Sequence, residues 1–210
     1  MKVLRLLFTL GVSLLLVAPF ILGEDSKGGV LTGTLELTAG TGALNENVVV
    51  YLEGISGDYE APQRVAVMDQ KDEEFVPRLL SVQKGQPVEF KNGDPFTHNV
   101  HLYRGRRSLF NIAQGIRGQN DWSAPRSGEY LVLCDIHRKM SAFILVYDHP
   151  FFTTVNPQGS TTASFKIENI PGGTYTLVMV GEVERKGILQ RKEQEVTIAS
   201  GKTTTVNVRF

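Results

Sequence analysis

The chain has 210 residues with 22 Lys or Arg and 22 Asp or Glu, so its formal net charge at pH 7 is zero. That balance gives no general pull toward nucleic acid or an anionic membrane surface, and nucleic acid is not expected as a partner. With 21 glycines, 9 prolines and repeated Val/Thr runs, the length suits one large or two small domains built from strands and turns rather than helices.

Residues 1–23 stand apart. "MKVLR" supplies two positive charges, "LLFTLGVSLLLVAPFIL" is apolar, and "GEDSKGG" is a polar exit, the layout of a secretory signal peptide cleaved near Gly23–Glu24. The remainder is then expected in the periplasm or otherwise exported. Ile21 is larger than the small residue usual before a cleavage site, and the apolar run is long for a signal. An uncleaved membrane anchor therefore stays open, and membrane association is expected only in that case. No cysteine stands directly after the run, which argues against a lipoprotein anchor.

From Gly28 onward the pattern is of short strands. "VLTGTLELT" and "NVVVYLEG" are separated by the turn-rich "AGTGALNEN". "QRVAVMDQ", "RLLSVQKGQPVEFKNGDPF" and "HNVHLY" follow, with hairpin-type turns expected at Lys84-Gly85 and Asn92-Gly93. Arg104 to Ser123 is rich in Gly, Arg, Gln and Asn and reads as a long loop with room for one short element. "GEYLVLC" and "SAFILVYD" are unbroken apolar runs, which fits strands in the interior of a sandwich. "ASFKIENIPGGTYTLVMV" and "QEVTIASGKTTTVNVRF" add strands around Pro171-Gly172-Gly173 and Ser200-Gly201. The fold class is all-β.

Between the two apolar runs lies "CDIHRKM", which holds the chain's one cysteine, Cys134. In an oxidising compartment a lone cysteine is a leftover reactive thiol, a small buried hydrophobe, or a thiolate held on a metal. Cysteine count does not choose among these. The neighbours do more. His137 and Met140 follow at intervals of three, so one tight loop between two strands can turn all three side chains inward. His98, after the turn-like "DPFT", stands at the mouth of another strand that a sandwich can bring beside the loop.

Read singly, Met140 is core filler and His98 an ordinary strand-end histidine. Together the four supply one thiolate, two imidazoles and one thioether. Soft sulfur ligands favour reduced copper, and imidazoles suit both copper oxidation states. Two His, one Cys and a weak axial Met describe a blue-copper electron-transfer site, whereas zinc prefers four strong ligands.

"NGDPFTHNVHL" with "GEYLVLCDIHRKMSAFILV" resembles the cupredoxin family, and the C-x2-H-x2-M loop resembles that of amicyanins. "MDQKDEEFVPRLLSVQKGQPVEFKNGD", Phe110-Asn111 and "CDIH" also resemble cupredoxin-domain proteins labelled methylamine-utilisation proteins. The resemblance covers residues 64–148. It implies a Greek-key cupredoxin sandwich over 61–149, holding one copper ion (Cu+/Cu2+) with His98, Cys134 and His137 as strong ligands and Met140 as axial ligand. Asn99 would tie the two ligand-bearing segments together. Such a protein passes single electrons to a redox protein partner and is not an enzyme.

Other candidates carry less. His101, three beyond His98, is aimed by strand alternation at the opposite face and reads as a surface histidine. His149-Pro150 reads as a turn at a domain boundary. Asp135 and Glu129 read as lone acids without a paired base, so no catalytic residue is assigned. Arg104, Arg106 and Arg107 read as a solvated loop. Residues 98–140 nonetheless hold seven basic and three acidic side chains, and this excess of four suits an acidic docking partner.

The tail, "GSTTASFKIENIPGGTYTLVMV", resembles carboxypeptidase regulatory-like domains, which are small β-sandwiches. Their usual opening strand pair is matched by "GGVLTGTLELTAGTGALNENVVVYLEG", far upstream. The implied organisation is a second sandwich formed by 28–60 and 150–210 and split by the inserted cupredoxin unit. The alternative is that 28–54 are extra cupredoxin strands and the tail stands alone. Where many relatives carry a Trp-His pair, this chain has Val180-Gly181-Glu182, so the tail is expected to be scaffold or docking surface rather than a second metal site. The functional expectation is a one-electron carrier. The rivals are a copper carrier or scavenger with the same ligands, and a structural exported β-module with a vestigial site.

Overall fold

The computed structural model describes residues 27–37, 47–182 and 187–210, and the expected signal segment lies outside them. Every regular element among the described residues is a strand, and they form two sandwiches of two sheets each. No helix among them is long and apolar enough to cross a membrane.

In one sandwich, β1 (Gly29–Glu36) runs antiparallel to β13 (Thr162–Ile170) on one side and parallel to β16 (Thr203–Arg209) on the other. Its second sheet is ordered β12 (Phe152–Val155), β2 (Val48–Glu53), β14 (Gly173–Glu182), β15 (Leu189–Ile198). Alternation along β1 sends Leu31 and Leu35 inward and leaves Thr32 and Thr34 half-buried. The inward side chains meet Val50, Leu52, Leu177, Met179 and Phe210 in an apolar core. Gly33 lets Phe165 cross this layer, because a Cβ there would stand 2.4 Å from the Phe165 ring.

The other sandwich lies between β2 and β12 in the chain. Its five-stranded sheet is ordered β5 (Leu79–Gln83), β11 (Ser141–Tyr147), β10 (Gly128–Leu133), β7 (His98–Arg104), β8 (Arg107–Gln114). The facing sheet is ordered β4 (Glu74–Val76), β3 (Ala66–Lys71), β6 (Pro87–Asn92), β9 (Gln119–Ser123). Met68, Phe75, Phe90, Val100, Tyr130, Val132 and Ile144 fill the space between them.

Two expectations are corrected. Arg104 to Ser123 is not a long loop but carries β8 and β9. Both are edge strands with mostly exposed side chains, and that solvation gave them a loop-like composition. Lys84-Gly85 and Asn92-Gly93 are not hairpins. Each links strands of different sheets, β5 to β6 and β6 to β7. The Lys84 and Gly85 amides are taken by Tyr147 O at 2.7 Å and Ala124 O at 3.0 Å, so the turn is fixed by tertiary contacts rather than by a flanking ladder.

The sandwiches meet face to face. Val49, Tyr51, Val178 and Val180 on the outer face of β2 and β14 pack on Leu79, Phe143, Leu145 and Tyr147 from β5 and β11. This is why "VVVYLE" and "SAFILVY" are apolar without alternation: one face of each strand lines its own core and the other lines the seam. Arg78 Nε and Nη2 donate to Glu182 Oε2 and Oε1 at 2.9 and 2.8 Å across the seam, with both side chains buried. Glu182 belongs to the Val180-Gly181-Glu182 stretch of the tail, where it serves docking between the sandwiches.

Candidate metal centre

Register brings the expected ligands together. β10 runs antiparallel to β7 with Leu133 opposite His101, so the end of β10 meets the start of β7. His98 opens β7, and Cys134 follows β10 directly. The loop 134–140 closes on itself: Cys134 N–H donates to Met140 O at 3.2 Å, and Met140 N–H donates to His137 O at 2.9 Å. Asn99 Oδ1 accepts the Asp135 N–H at 2.8 Å and lies 3.3 Å from Cys134 Sγ, tying β7 to the loop.

His98, Cys134 and His137 present ligand atoms within 4.8 Å of one another. Nδ1 of His98 lies 2.9 Å from Nδ1 of His137, and Cys134 Sγ lies 3.9 and 3.8 Å from those nitrogens. These three sides fit a trigonal centre. A point about 2.0 Å from both nitrogens and in their plane with sulfur stands about 2.2 Å from Sγ, close to ordinary metal–nitrogen and metal–thiolate lengths. Met140, which closes the loop, is buried in the same core cluster as Cys134. His98 and Cys134 are buried and His137 is half-buried, so His137 is the ligand ring that reaches toward the surface. Phe96, 38% exposed, sets its ring beside both histidines, with centroids 5.1 Å from His98 and 5.7 Å from His137.

Behind His98 is a residue that sequence reasoning missed. Asp94 Oδ2 lies 2.8 Å from His98 Nε2, and the carboxylate also accepts the Asp72 N–H at 2.7 Å and the Glu73 N–H at 3.0 Å. An ionised carboxylate only accepts, so Nε2 carries the ring proton and Nδ1 presents its lone pair toward Cys134 and His137. Burial alone would raise the Asp94 pKa, but the two amides and the His98 ring outweigh it and hold the group below the usual carboxylate range. A carboxylate four residues before the histidine was the available signal.

A second pairing corrects the sequence reading. Asp135 is not a lone acid: His101 Nδ1 lies 2.9 Å from its Oδ2, and His101 Nε2 lies 2.9 Å from Ser108 Oγ. Burial raises the Asp135 pKa, while hydrogen bonds from Asn111, His101 and Asn99 outweigh that and bring it below the usual range. As alternation requires, His101 faces away from the ligand triangle, and both of its ring nitrogens are engaged elsewhere. His149 is buried at the end of the seam, where its Nδ1 accepts the Phe151 N–H at 3.2 Å.

In donor chemistry the cluster of His98, Cys134, His137 and Met140 resembles a type 1 copper site. No family model and no curated protein sequence matches the chain. Among solved structures, an amicyanin variant in its oxidised form is 22% identical, over 39% of this chain and 81% of its own, with a TM-score of 0.37. A purple cupredoxin from Nitrosopumilus maritimus is 18% identical, over 39% of this chain and 98% of its own, with a TM-score of 0.36. A copper-containing nitrite reductase from Thermus scotoductus is 20% identical, over 55% of this chain and 28% of its own, with a TM-score of 0.39.

Proposed function

We propose that the chain is an exported type 1 copper protein that carries single electrons and catalyses no reaction of its own. The observation that carries this reading is the triangle of two Nδ1 atoms and one Sγ, with sides of 2.9, 3.8 and 3.9 Å. One copper ion cycling between Cu+ and Cu2+ would supply the redox change. The chain's own part is to hold His98, Cys134 and His137 as strong ligands, with Met140 as the weak axial one. The loop's two internal hydrogen bonds and the Asn99 tie leave these donors little freedom to rearrange between oxidation states. That rigidity favours an electron shuttle over a carrier that must release its ion.

Electrons would enter and leave through His137. Around it Phe96 and Ile136, 38% and 53% exposed, form an apolar rim, and Arg138 and Lys139 are exposed in the same loop. A transient redox encounter needs only a small interface, and this rim suits a redox protein partner with an acidic patch. The apolar run within residues 1–23 supports export to the periplasm or beyond, with membrane attachment only if that run is retained. The pairing of β1 and β2 with strands of the tail supports reading 61–149 as a cupredoxin unit inserted into a carboxypeptidase regulatory-like sandwich made of 28–60 and 150–210.

The test is direct. Protein loaded with Cu2+ is expected to be intensely blue, and Cys134→Ser to lose the colour while circular dichroism shows the sheets intact. A colourless copper-loaded wild-type protein overturns the proposal. Loss of the ion on each reduction at an electrode would replace it with the copper-carrier reading.

A further inference from the structure

Three donors converge on one carboxylate at the back of the centre. Asp94, 5% exposed, accepts the Asp72 N–H on Oδ1, and on Oδ2 it accepts the Glu73 N–H and the His98 Nε2–H. Asp72 and Glu73 are the tip of the β3–β4 hairpin, whose last pair is Lys71 opposite Glu74. Both tip residues have positive φ, 55° and 57°. A two-residue turn of this kind ordinarily uses Asn-Gly or Asp-Gly, because glycine meets no steric penalty there. This chain has Glu at the second position. Such a conformation persists where the surroundings over-determine it, and the group that both tip amides address is the Asp94 carboxylate. The hairpin belongs to the four-stranded sheet, while His98 opens β7 of the facing sheet. Asp94 therefore fastens one sheet's turn to the other sheet's ligand.

We propose that Asp94, clamped by the Asp72-Glu73 turn, is a positioning residue that fixes His98 as its Nε2–H tautomer and lowers the reduction potential of the copper centre. The inference rests on the copper reading above. Two effects act in one direction. An imidazole whose N–H leans on a carboxylate is a stronger donor through its other nitrogen. A fixed negative charge in a water-poor interior favours the more highly charged ion, so Cu2+ gains over Cu+.

Asp94→Asn tests this, because it keeps the shape but turns one acceptor oxygen into an NH2 that faces N–H donors. Affinities for Cu2+ and Cu+ and the midpoint potential are measured on the full chain. The Cu2+ affinity is expected to fall about 10–100-fold and the Cu+ affinity by less. Each tenfold difference between the two losses raises the potential by about 59 mV. A merely structural aspartate would leave the potential in place, so a blue variant with an unchanged potential overturns the proposal while the copper reading stands. A wild-type protein that binds no copper overturns both. Should the variant fail to fold, nitrogen-15 NMR of the wild-type apoprotein decides. A slowly exchanging Nε2–H on His98 supports the clamp, and an Nδ1–H tautomer overturns it.

Discussion

The two sandwiches are built from the same kind of strand, yet their interiors differ in kind. In the sandwich that contains the chain's last strand, Glu182 at the seam is the one buried polar or charged strand residue among the described residues, and the core from Leu31 to Phe210 is filled by apolar side chains. The other buries Gln70, Asn92, Asp94, His98, Asn99 and Gln114, each at most 5% exposed. Five of these are wired together, with Asp94 bonded to His98, while Asn99 bonds the 134–140 loop instead. Asn92 Nδ2 donates to the carbonyls of Phe96, Gln114 and Gly115 at 2.8, 3.1 and 2.9 Å, and its Oδ1 accepts the Asp94 N–H at 3.0 Å. Gln114 Nε2 bonds Phe90 O and Asn120 Oδ1, and Gln70 Nε2 bonds Gln114 Oε1. Burying amides costs free energy unless each is bonded, and the neighbouring sandwich shows that stability does not require them. Their concentration behind His98 marks the end of the molecule where a site is built, and its price is a core that tolerates less change.

The two sandwiches are most readily uncoupled at the seam. Arg78→Ala leaves the buried Glu182 charge without its partner, and the expected loss is about 3–5 kcal/mol. Urea unfolding followed by both tryptophan fluorescence and circular dichroism should then show two transitions instead of one, because Trp122, the chain's one tryptophan, reports only on the sandwich that carries His98 and Cys134. A single, nearly unshifted transition would mean that the apolar seam alone couples the halves. Leu177→Ala probes the apolar core, where a fully buried side chain leaves a cavity. The expected cost is about 2–5 kcal/mol, with copper affinity at 25 °C unchanged; weaker copper binding would show that the tail is not merely a scaffold. Asn99→Ala is milder in stability, about 1–3 kcal/mol for the orphaned amides, but more local. Hydrogen exchange at the Asp135 and Ile136 amides, which Asn99 Oδ1 accepts at 2.8 and 3.4 Å, should quicken. Unchanged exchange there would remove Asn99 from the account.

How far the sequence could be read follows the same division. Strand alternation and apolar runs made the all-β class legible, since burial on one or both faces writes itself directly into residue order. The loop 134–140 and His98 were legible as a group because four residues of three uncommon types must coincide. Asp94 was not. Aspartate before proline looks like ordinary turn chemistry, and its other partners are backbone amides 21 and 22 residues upstream, where any residue type would supply them. β8 and β9 were hidden by their place at sheet edges, where solvation erases the apolar signal. The Asp135–His101 pair was hidden because its members sit 34 residues apart and meet only through the β7–β10 register.

The smallest expected effect lies at the seam's end and depends on pH. His149 is 8% exposed, packed between the rings of Tyr147 and Phe151, and burial holds its pKa below the ordinary 6.5. In the unfolded chain the ring takes up a proton as pH falls through about 6.5; in the folded chain it does so only at lower pH. Between those values the unfolded state binds more protons, so stability falls on acidification, by at most about 1.4 kcal/mol per pH unit. The carboxylates with depressed pKa values, among them Asp148 and Glu53, add acid sensitivity of the same sign, but only as pH drops through the lower carboxylate range. Unfolding measured at pH 7.5 and 5.5 therefore isolates the histidines, and the difference between wild type and His149→Gln isolates this one. The variant should lose less stability over that interval. An equal loss in both would show that His149 stays as easily protonated in the fold as in the open chain, and that the seam end is wetter than the cores on either side.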